Sequence, residues 1–315
     1  MDWKLIVNDK AAVRPITVSI AAVERDTGLS KDTLRVWERR YGFPMPLRDA
    51  YGERAYALDQ IEKLRVIKRL LDNGHRPGRI VAMSIEELQS IGESLSAQPQ
   101  RITPSGKTDL REYLALIKSH DVDGLRRLLR QALMRLGLGS FVCHVIAPLN
   151  TTVGDAWMRG QIEVFEEHVY TESVNIVLRS AMGVSPVTAQ LASPRVLLTT
   201  FPQEPHGMGL LMAEAMLSLE ACRCVSLGTQ TPIWDVVLAA TAHKADIVAL
   251  SFTTSQNAND VVNGLEELRS KLGMGIEIWA GGSCPIIHRR SIEGVTAVAT
   301  LQDIPAQVAR WRHLS

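Results

Sequence analysis

The chain has no apolar run approaching the ~20 residues that a membrane helix needs, and it holds only four cysteines in 315 residues. The first absence excludes a helical membrane protein. The second excludes a disulfide scaffold. Cys143, Cys222, Cys224 and Cys284 also lack the paired spacing of a zinc site, so reduced cytoplasmic thiols are expected. Met1-Asp2-Trp3-Lys4 do not lead into a signal-peptide core, which makes the cytoplasm the expected location. No internal repeat, phosphate loop or nucleophile–base pair is evident, which counts against an enzyme. What remains is a globular composition, 46% hydrophobic and 22% charged, long enough for two or three domains.

The net charge of +1 hides an asymmetry. Residues 1–80 hold 16 Lys/Arg against 11 Asp/Glu, and the remainder 19 against 23. A basic first quarter on a mildly acidic body points to a nucleic-acid head carrying something else.

Four segments follow from the pattern. Residues 16–91 read as a winged helix-turn-helix. Ser19 caps a first helix with Ile20-Ala21-Ala22-Val23 on its apolar face, Thr27-Gly28-Leu29 turns, and Ser30 caps a second helix bearing Leu34, Val36 and Trp37. Gly42-Phe43-Pro44-Met45-Pro46 blocks further helix, and Arg48 to Tyr56 form a small wing turning near Tyr51-Gly52. Helical spacing resumes over 58–71, ended by Asn73-Gly74, and a fourth helix is expected from Pro77 to about Ile91. Residues 92–108, rich in Ser, Gln, Pro, Gly and Thr, read as a linker. Residues 109–190 are helical by spacing, with breaks at Gly124, Gly137-Leu138-Gly139 and Gly160, which predicts a four-helix bundle.

Residues 194–315 alternate strands (195–200, 222–227, 247–252, 276–280, 296–300) with helices (near 208–220, 232–243, 258–272, 303–311). Such alternation predicts a Rossmann-like parallel sheet, so the whole is a multidomain α and α/β protein. Ligands on such sheets bind beyond the carboxyl ends of the strands, in loops 201–209, 228–231, 252–257 and 281–285. The first of these carries Glu204-Pro205-His206-Gly207-Met208-Gly209. A histidine there, with a carboxylate two residues before it, can become a metal ligand oriented by that acid.

The run Thr33-Leu34-Arg35-Val36-Trp37-Glu38-Arg39-Arg40-Tyr41-Gly42, followed by Arg48, Gly52, Arg54 and Tyr56, resembles the MerR family of winged-helix transcription regulators. The resemblance implies double-stranded operator DNA as partner. Thr33, Arg35 and Arg39 then belong to the major-groove helix, while Arg48, Arg54 and Tyr56 in the wing, and Trp37 at the helix edge, would meet phosphates. MerR proteins bind as dimers. No long heptad follows the head, so association would involve the later domains, as a dimer or tetramer, with RNA polymerase as an optional further partner.

Residues 109–315 resemble the cobalamin-binding module of methionine synthase and of cobalamin-dependent MerR-type repressors, many of them light-responsive. Glu204, His206 and Gly209 match that family's motif, so the resemblance implies His206 as the lower ligand of the cobalt. Ser251-Phe252-Thr253-Thr254-Ser255 looks like its Ser/Thr stretch beside the nucleotide tail, and Gly281-Gly282 like its glycine pair. Trp157, followed after nine residues by Glu167-His168, has the spacing of the group that covers the corrin and contacts a 5′-deoxyadenosyl group. Adenosylcobalamin is therefore the expected cofactor. One departure stands out: light-responsive members carry a histidine beside the Trp, where this chain has Met158, a softer and weaker donor to oxidised cobalt. His168 could substitute.

The expected function is a regulator, a repressor first, whose operator affinity depends on a cobalamin, with either light or cobalamin availability left open as the signal. Two other readings compete. One keeps the DNA head but makes the module a protein-interaction domain. The other, a methyl carrier or mutase, needs substrate domains for which no length remains.

Overall fold

The computed structural model describes residues 17–49, 51–72, 75–95, 110–183, 193–254 and 256–314. The chain forms two compact units, divided between residues 98 and 99.

The first unit opens with a strand that the sequence did not announce, β1 (Thr17–Ser19), followed by α1 (Ile20–Thr27) and α2 (Lys31–Tyr41). Ser19 and Ser30 cap the two helices through their hydroxyls, as expected, accepting from the amides of Ala22 and Thr33. Gly28 ends α1 at φ +70°, where a side chain would be strained. The wing is β2 (Leu47–Arg48) and β3 (Arg54–Ala57), and β1 adds to it antiparallel in the order β1-β3-β2. Then follow α3 (Leu58–Asp72), α4 (Pro77–Ile80) and α5 (Ile85–Leu95). The single helix expected from Pro77 to Ile91 is therefore two. Ser84 and Glu87 form a reciprocal cap, each accepting the other's backbone amide, which starts a new helix there. Asn73-Gly74 and most of the expected linker, from residue 96 onward, lie outside the described residues.

The second unit begins with helices α6 (Leu110–Lys118) and α7 (Val122–Leu136). A long helix follows, made of α8 (Leu138–Phe141), a π-helical turn (Val142–Ile146) and α9 (Ala147–Met158), and then α10 (Val164–Met182). This is a four-helix bundle. Pro148 has no amide hydrogen to donate back into the π turn, which gives one cause for the irregularity. Gly137 and Gly160 break the chain at positive φ as expected. Gly124 does not. The break falls at His120 and Asp121, and Gly124 sits in the first turn of α7, where a Cβ would collide with the capping Asp121 carboxylate.

Five parallel strands complete the unit: β4 (Arg195–Thr199), β5 (Arg223–Ser226), β6 (Ile247–Phe252), β7 (Glu277–Gly282) and β8 (Val295–Val298), in the order β5-β4-β6-β7-β8. All lie within a residue or two of expectation. Helices α11 (Met208–Leu219), α12 (Ile233–Ala242), α13 (Ala258–Lys271), α14 (Pro285–Arg289) and α15 (Ile304–Leu314) connect and flank them. The short α14 had no periodic signal. Strand β6 is buried along its whole length, as a central parallel strand is. One core joins the bundle to the sheet through α11, and a second lies on the opposite face beneath α12 and α13. Because the chain runs from β4 outward to β5 and then back across to β6, the strand order reverses between β4 and β6. Ligands of such sheets sit at that switch point.

Candidate functional site

The loop after β4, residues 200–207, emerges at this switch point. Glu204 is 0% exposed, whereas the side chain of His206 is 57% exposed. They meet at 2.6 Å, His206 Nδ1 against Glu204 Oε1. The same carboxyl oxygen accepts the His206 amide at 3.1 Å, and Oε2 accepts both the amide and the hydroxyl of Thr253, each at 2.7 Å. Burial alone would raise the carboxyl's pKa, but the hydrogen bonds from His206 and Thr253 outweigh it and hold Glu204 below its ordinary value of 4.5. Glu204 is thus an ionised, buried acceptor. It fixes the imidazole with its proton on Nδ1, so in the neutral ring the lone pair is on Nε2, the tautomer of a metal-ligating histidine.

The loop itself is fastened at several points that the sequence did not reveal. Thr200 donates its hydroxyl to the Glu204 carbonyl and accepts the Gln230 amide at 2.8 Å. Side-chain amides of Gln230 and Gln256 reach the carbonyls of Pro202 and Gln203 at 3.0 and 2.6 Å. The only sequence signal for this was the polar Thr199-Thr200 pair ending an apolar strand.

Beside this loop a cavity of about 410 Å³ opens between sheet and helices. Its walls include Gly209, Ser251, Thr253, Gly281 and Gly282, five of the residues expected around a cofactor. The glycines matter differently. A Cβ on Gly209 would lie 2.4 Å from Ser251 Oγ, and one on Gly282, at φ +109°, 2.2 Å from the Phe252 carbonyl oxygen. Both are required by the protein's own packing. At Gly281 the nearest atom is the Val298 carbonyl oxygen at 3.4 Å, an ordinary contact, so this glycine keeps the cavity wide rather than relieving a clash. The bundle contributes a wall of its own: Cys143 from the π turn, with Ala147 and Thr151 on the turns that follow. Trp279 forms part of the floor, its indole N–H given to Glu277, which Arg310 holds from α15. These wall residues were also missed, because they carry no motif.

Trp157 is the second-last residue of α9, and Glu167 and His168 lie in the first two turns of α10, so one corner joins them. Gly160 turns that corner at φ +66°, and Glu166 braces it, accepting the Glu163 amide at 2.6 Å and facing His120 Nε2 at 3.1 Å. Trp157 packs partly buried on the bundle core. Glu167 accepts the Thr171 hydroxyl at 2.7 Å, and His168 is 71% exposed. None of the three is part of the cavity wall.

In the first unit, Arg35 and Arg39 are exposed on α2, with Thr33 in its first turn. Arg48 is exposed in the wing and donates to the Gly52 carbonyl at 2.8 Å. Arg54 is bound to Glu38 of α2, at 2.8 Å from Nε and 3.4 Å from Nη2, and so ties wing to helix. Two expectations are corrected. Trp37 is 5% and Tyr56 0% exposed, and both belong to the core with Val23, Leu34 and Leu64. A domain this small has few large apolar side chains to fill its interior, and it draws in both. Neither side chain is open to solvent for a phosphate contact in this structure.

The residues present fit a cobalamin: an oriented imidazole, a cavity for a bulky tail, and a glycine that leaves room for it. The comparisons agree. The sequence profile of the MerR HTH family of regulatory proteins matches residues 18–84, and two B12-binding-domain profiles match residues 109–180 and 194–301. The chain is 30% identical to the HTH-type transcriptional repressor CarH of Myxococcus xanthus over 90% of its own length and 93% of that protein's. It is 27% identical to the repressor CarA of the same organism over 80% and 82%. The structure of the Methanosarcina barkeri monomethylamine corrinoid protein covers 63% of this chain and 96% of its own at TM-score 0.49 and 16% identity, too loose a match to argue from.

Proposed function

Because the chain belongs to the MerR-family regulators that carry a cobalamin-binding module, we propose that it is a repressor whose grip on operator DNA is set by adenosylcobalamin and relaxed by light. It is a DNA-binding regulator and not an enzyme. The observation that carries the cofactor reading is the pairing of a buried carboxylate with an exposed imidazole at 2.6 Å.

Bound cobalamin would supply a cobalt able to take a protein imidazole and a light-labile cobalt–carbon bond. His206 would be the protein ligand through Nε2, and Glu204 raises that nitrogen's basicity by holding the Nδ1 proton. Thr253 fixes the carboxylate in turn, so the ligand does not swing. Gly281 keeps the slot open for the nucleotide tail, while Ser251 and Gly282 line it. Trp157, Glu167 and His168, from the corner between α9 and α10, would cover the cofactor. Cys143, Ala147 and Thr151 bring the bundle to the same cavity as the sheet, so an occupant touches both layers and ties them together.

Such a tie would favour one arrangement of the bundle and with it a dimer or tetramer presenting several DNA heads, which gain avidity on a matched operator. Met158, beside Trp157, is a weaker donor to oxidised cobalt than an imidazole, so His168 would be the nearby imidazole able to hold the cofactor's metal on the bundle side. RNA polymerase could be a further partner. Among the described residues no helix is long and apolar enough to cross a membrane.

Purified protein titrated with adenosylcobalamin in darkness should take up the cofactor's absorbance, grow in gel filtration and bind DNA more tightly, all reversed by illumination. A colourless protein of unchanged size contradicts the proposal. His206→Ala separates it from an interaction module without cofactor, since only the cofactor reading predicts a weakened response.

A further inference from the structure

Of the five tyrosines, Tyr56, Tyr113 and Tyr170 are buried and Tyr41 half-buried, but Tyr51 is 91% exposed at the tip of the wing. Large aromatic side chains gain little from water, and their usual place is a core or an interface. The turn that carries Tyr51 is built to hold it there. Asp49 Oδ1 accepts the amides of Tyr51 and Glu53, both at 2.9 Å, and the Asp49 amide donates to the Glu53 carbonyl at 3.0 Å. Gly52 takes φ +77°, and Arg48 Nη1 closes on its carbonyl at 2.8 Å. The wing is also anchored to α2 by the Arg54–Glu38 pair, so Tyr51 has a fixed reach relative to the exposed Arg35 and Arg39.

We infer that Tyr51 is a DNA-contacting residue that seats against the sugar–phosphate backbone beside the groove entered by α2. Its hydroxyl donates to a phosphate and its ring packs on deoxyribose. The occupant is duplex DNA because four exposed arginines, Arg35, Arg39, Arg40 and Arg48, lie on α2 and the wing against three exposed acids, of which Asp32 pairs with Arg35 and Asp49 is taken up by the wing turn, leaving only Glu53. The contact carries no charge. Tyr51 therefore supplies a part of operator affinity that salt does not screen through counterion release, unlike the arginines around it.

The test uses the full-length protein and the tightest duplex selected by it from a random-sequence pool, with affinity measured across a salt series. Tyr51→Ala should weaken binding about tenfold at every salt concentration, the effect of losing a hydrogen bond to a charged group plus its packing. The slope of log affinity against log salt should not change. Arg48→Ala should make that slope shallower by about one. Tyr51→Phe, which keeps the ring, should fall between wild type and Tyr51→Ala. Hydroxyl-radical footprints of Tyr51→Ala should lose protection at the flanks and keep it at the centre of the site. The inference is overturned if Tyr51→Ala binds like wild type, if its salt slope shifts as that of Arg48→Ala does, or if the flanking protection survives. Should Tyr51→Ala melt early, Tyr51→Phe decides: undiminished affinity in that variant removes the hydroxyl contact and with it the inference.

Discussion

Glu204 is sealed in the interior while His206, two residues later, is more than half exposed, yet Oε1 of one and Nδ1 of the other lie 2.6 Å apart. A buried carboxylate is costly unless its lone pairs are filled. Here the fillers are the His206 imidazole, the His206 amide, and Thr253 from the neighbouring strand end. The carboxylate that orients the His206 imidazole is therefore also a structural joint between β4 and β6.

Glu204→Gln should weaken cobalamin binding by about 10–100-fold, the usual effect of losing a group that orients a metal ligand. The amide can present its oxygen or its nitrogen to Nδ1 and no longer enforces one tautomer. Absorbance titration of the variant against wild type checks this, and equal affinities would show that Glu204 serves only the loop.

The same carboxylate predicts a pH dependence. Its pKa in the folded protein lies below the ordinary 4.5, so its stabilising contribution is complete above that value and is lost as pH falls through the lowered one. Denaturant unfolding at neutral pH and at successively more acidic pH should show wild type losing its advantage over Glu204→Gln only on the acid side. An advantage that fades toward alkaline pH would reverse the sign and contradict the assignment.

The three glycines of the cavity should separate in mutagenesis. Gly282→Ala should cost at least about 2 kcal/mol, from a strained φ and a collision with the Phe252 carbonyl. Gly209→Ala should destabilise only while Ser251 Oγ is present, because without it the nearest atom is the Ser251 Cβ at 3.5 Å; in a Ser251→Ala background the cost should largely vanish. Gly281→Ala should fold normally and bind cobalamin more weakly. Thermal melts and absorbance titrations of the four proteins test the set.

Tyr56→Phe should melt at or above the wild-type temperature and bind DNA unchanged. The Tyr56 hydroxyl is buried without a hydrogen-bond partner among the described residues, so removing it relieves a desolvation cost. Trp37→Ala should instead cost about 3–5 kcal/mol by opening the core of the head. A loss of affinity in Tyr56→Phe with intact stability would restore the phosphate contact that burial argues against.

Much of this was legible from residue types that have one local job. Ser19, Ser30 and Gly28 can do little at their positions except cap, and the apolar runs of the sheet fall within a residue or two of the observed strands. The Glu204–His206 pair was legible because its geometry is local, two residues on one loop. Features set by distant parts of the chain were not. β1 is three residues long and exists only because β3 offers it an edge. The bundle's share of the cavity depends on how the bundle packs on α11 and the sheet. Trp37 and Tyr56 carry no sign of whether they face DNA or core, since an aromatic side chain suits either, and Tyr51 was passed over for the same reason.

The account turns on His206 as the cobalt ligand, and one spectrum addresses that bond directly. Protein loaded with cob(II)alamin should show nitrogen superhyperfine triplets in its electron paramagnetic resonance spectrum, from a single axial nitrogen. With 15N-histidine incorporated, the account predicts that the triplets become doublets, and that His206→Ala restores triplets or abolishes the splitting. Triplets that persist in the 15N-histidine protein would mean that the cofactor's own base still holds the metal, and that His206 does not.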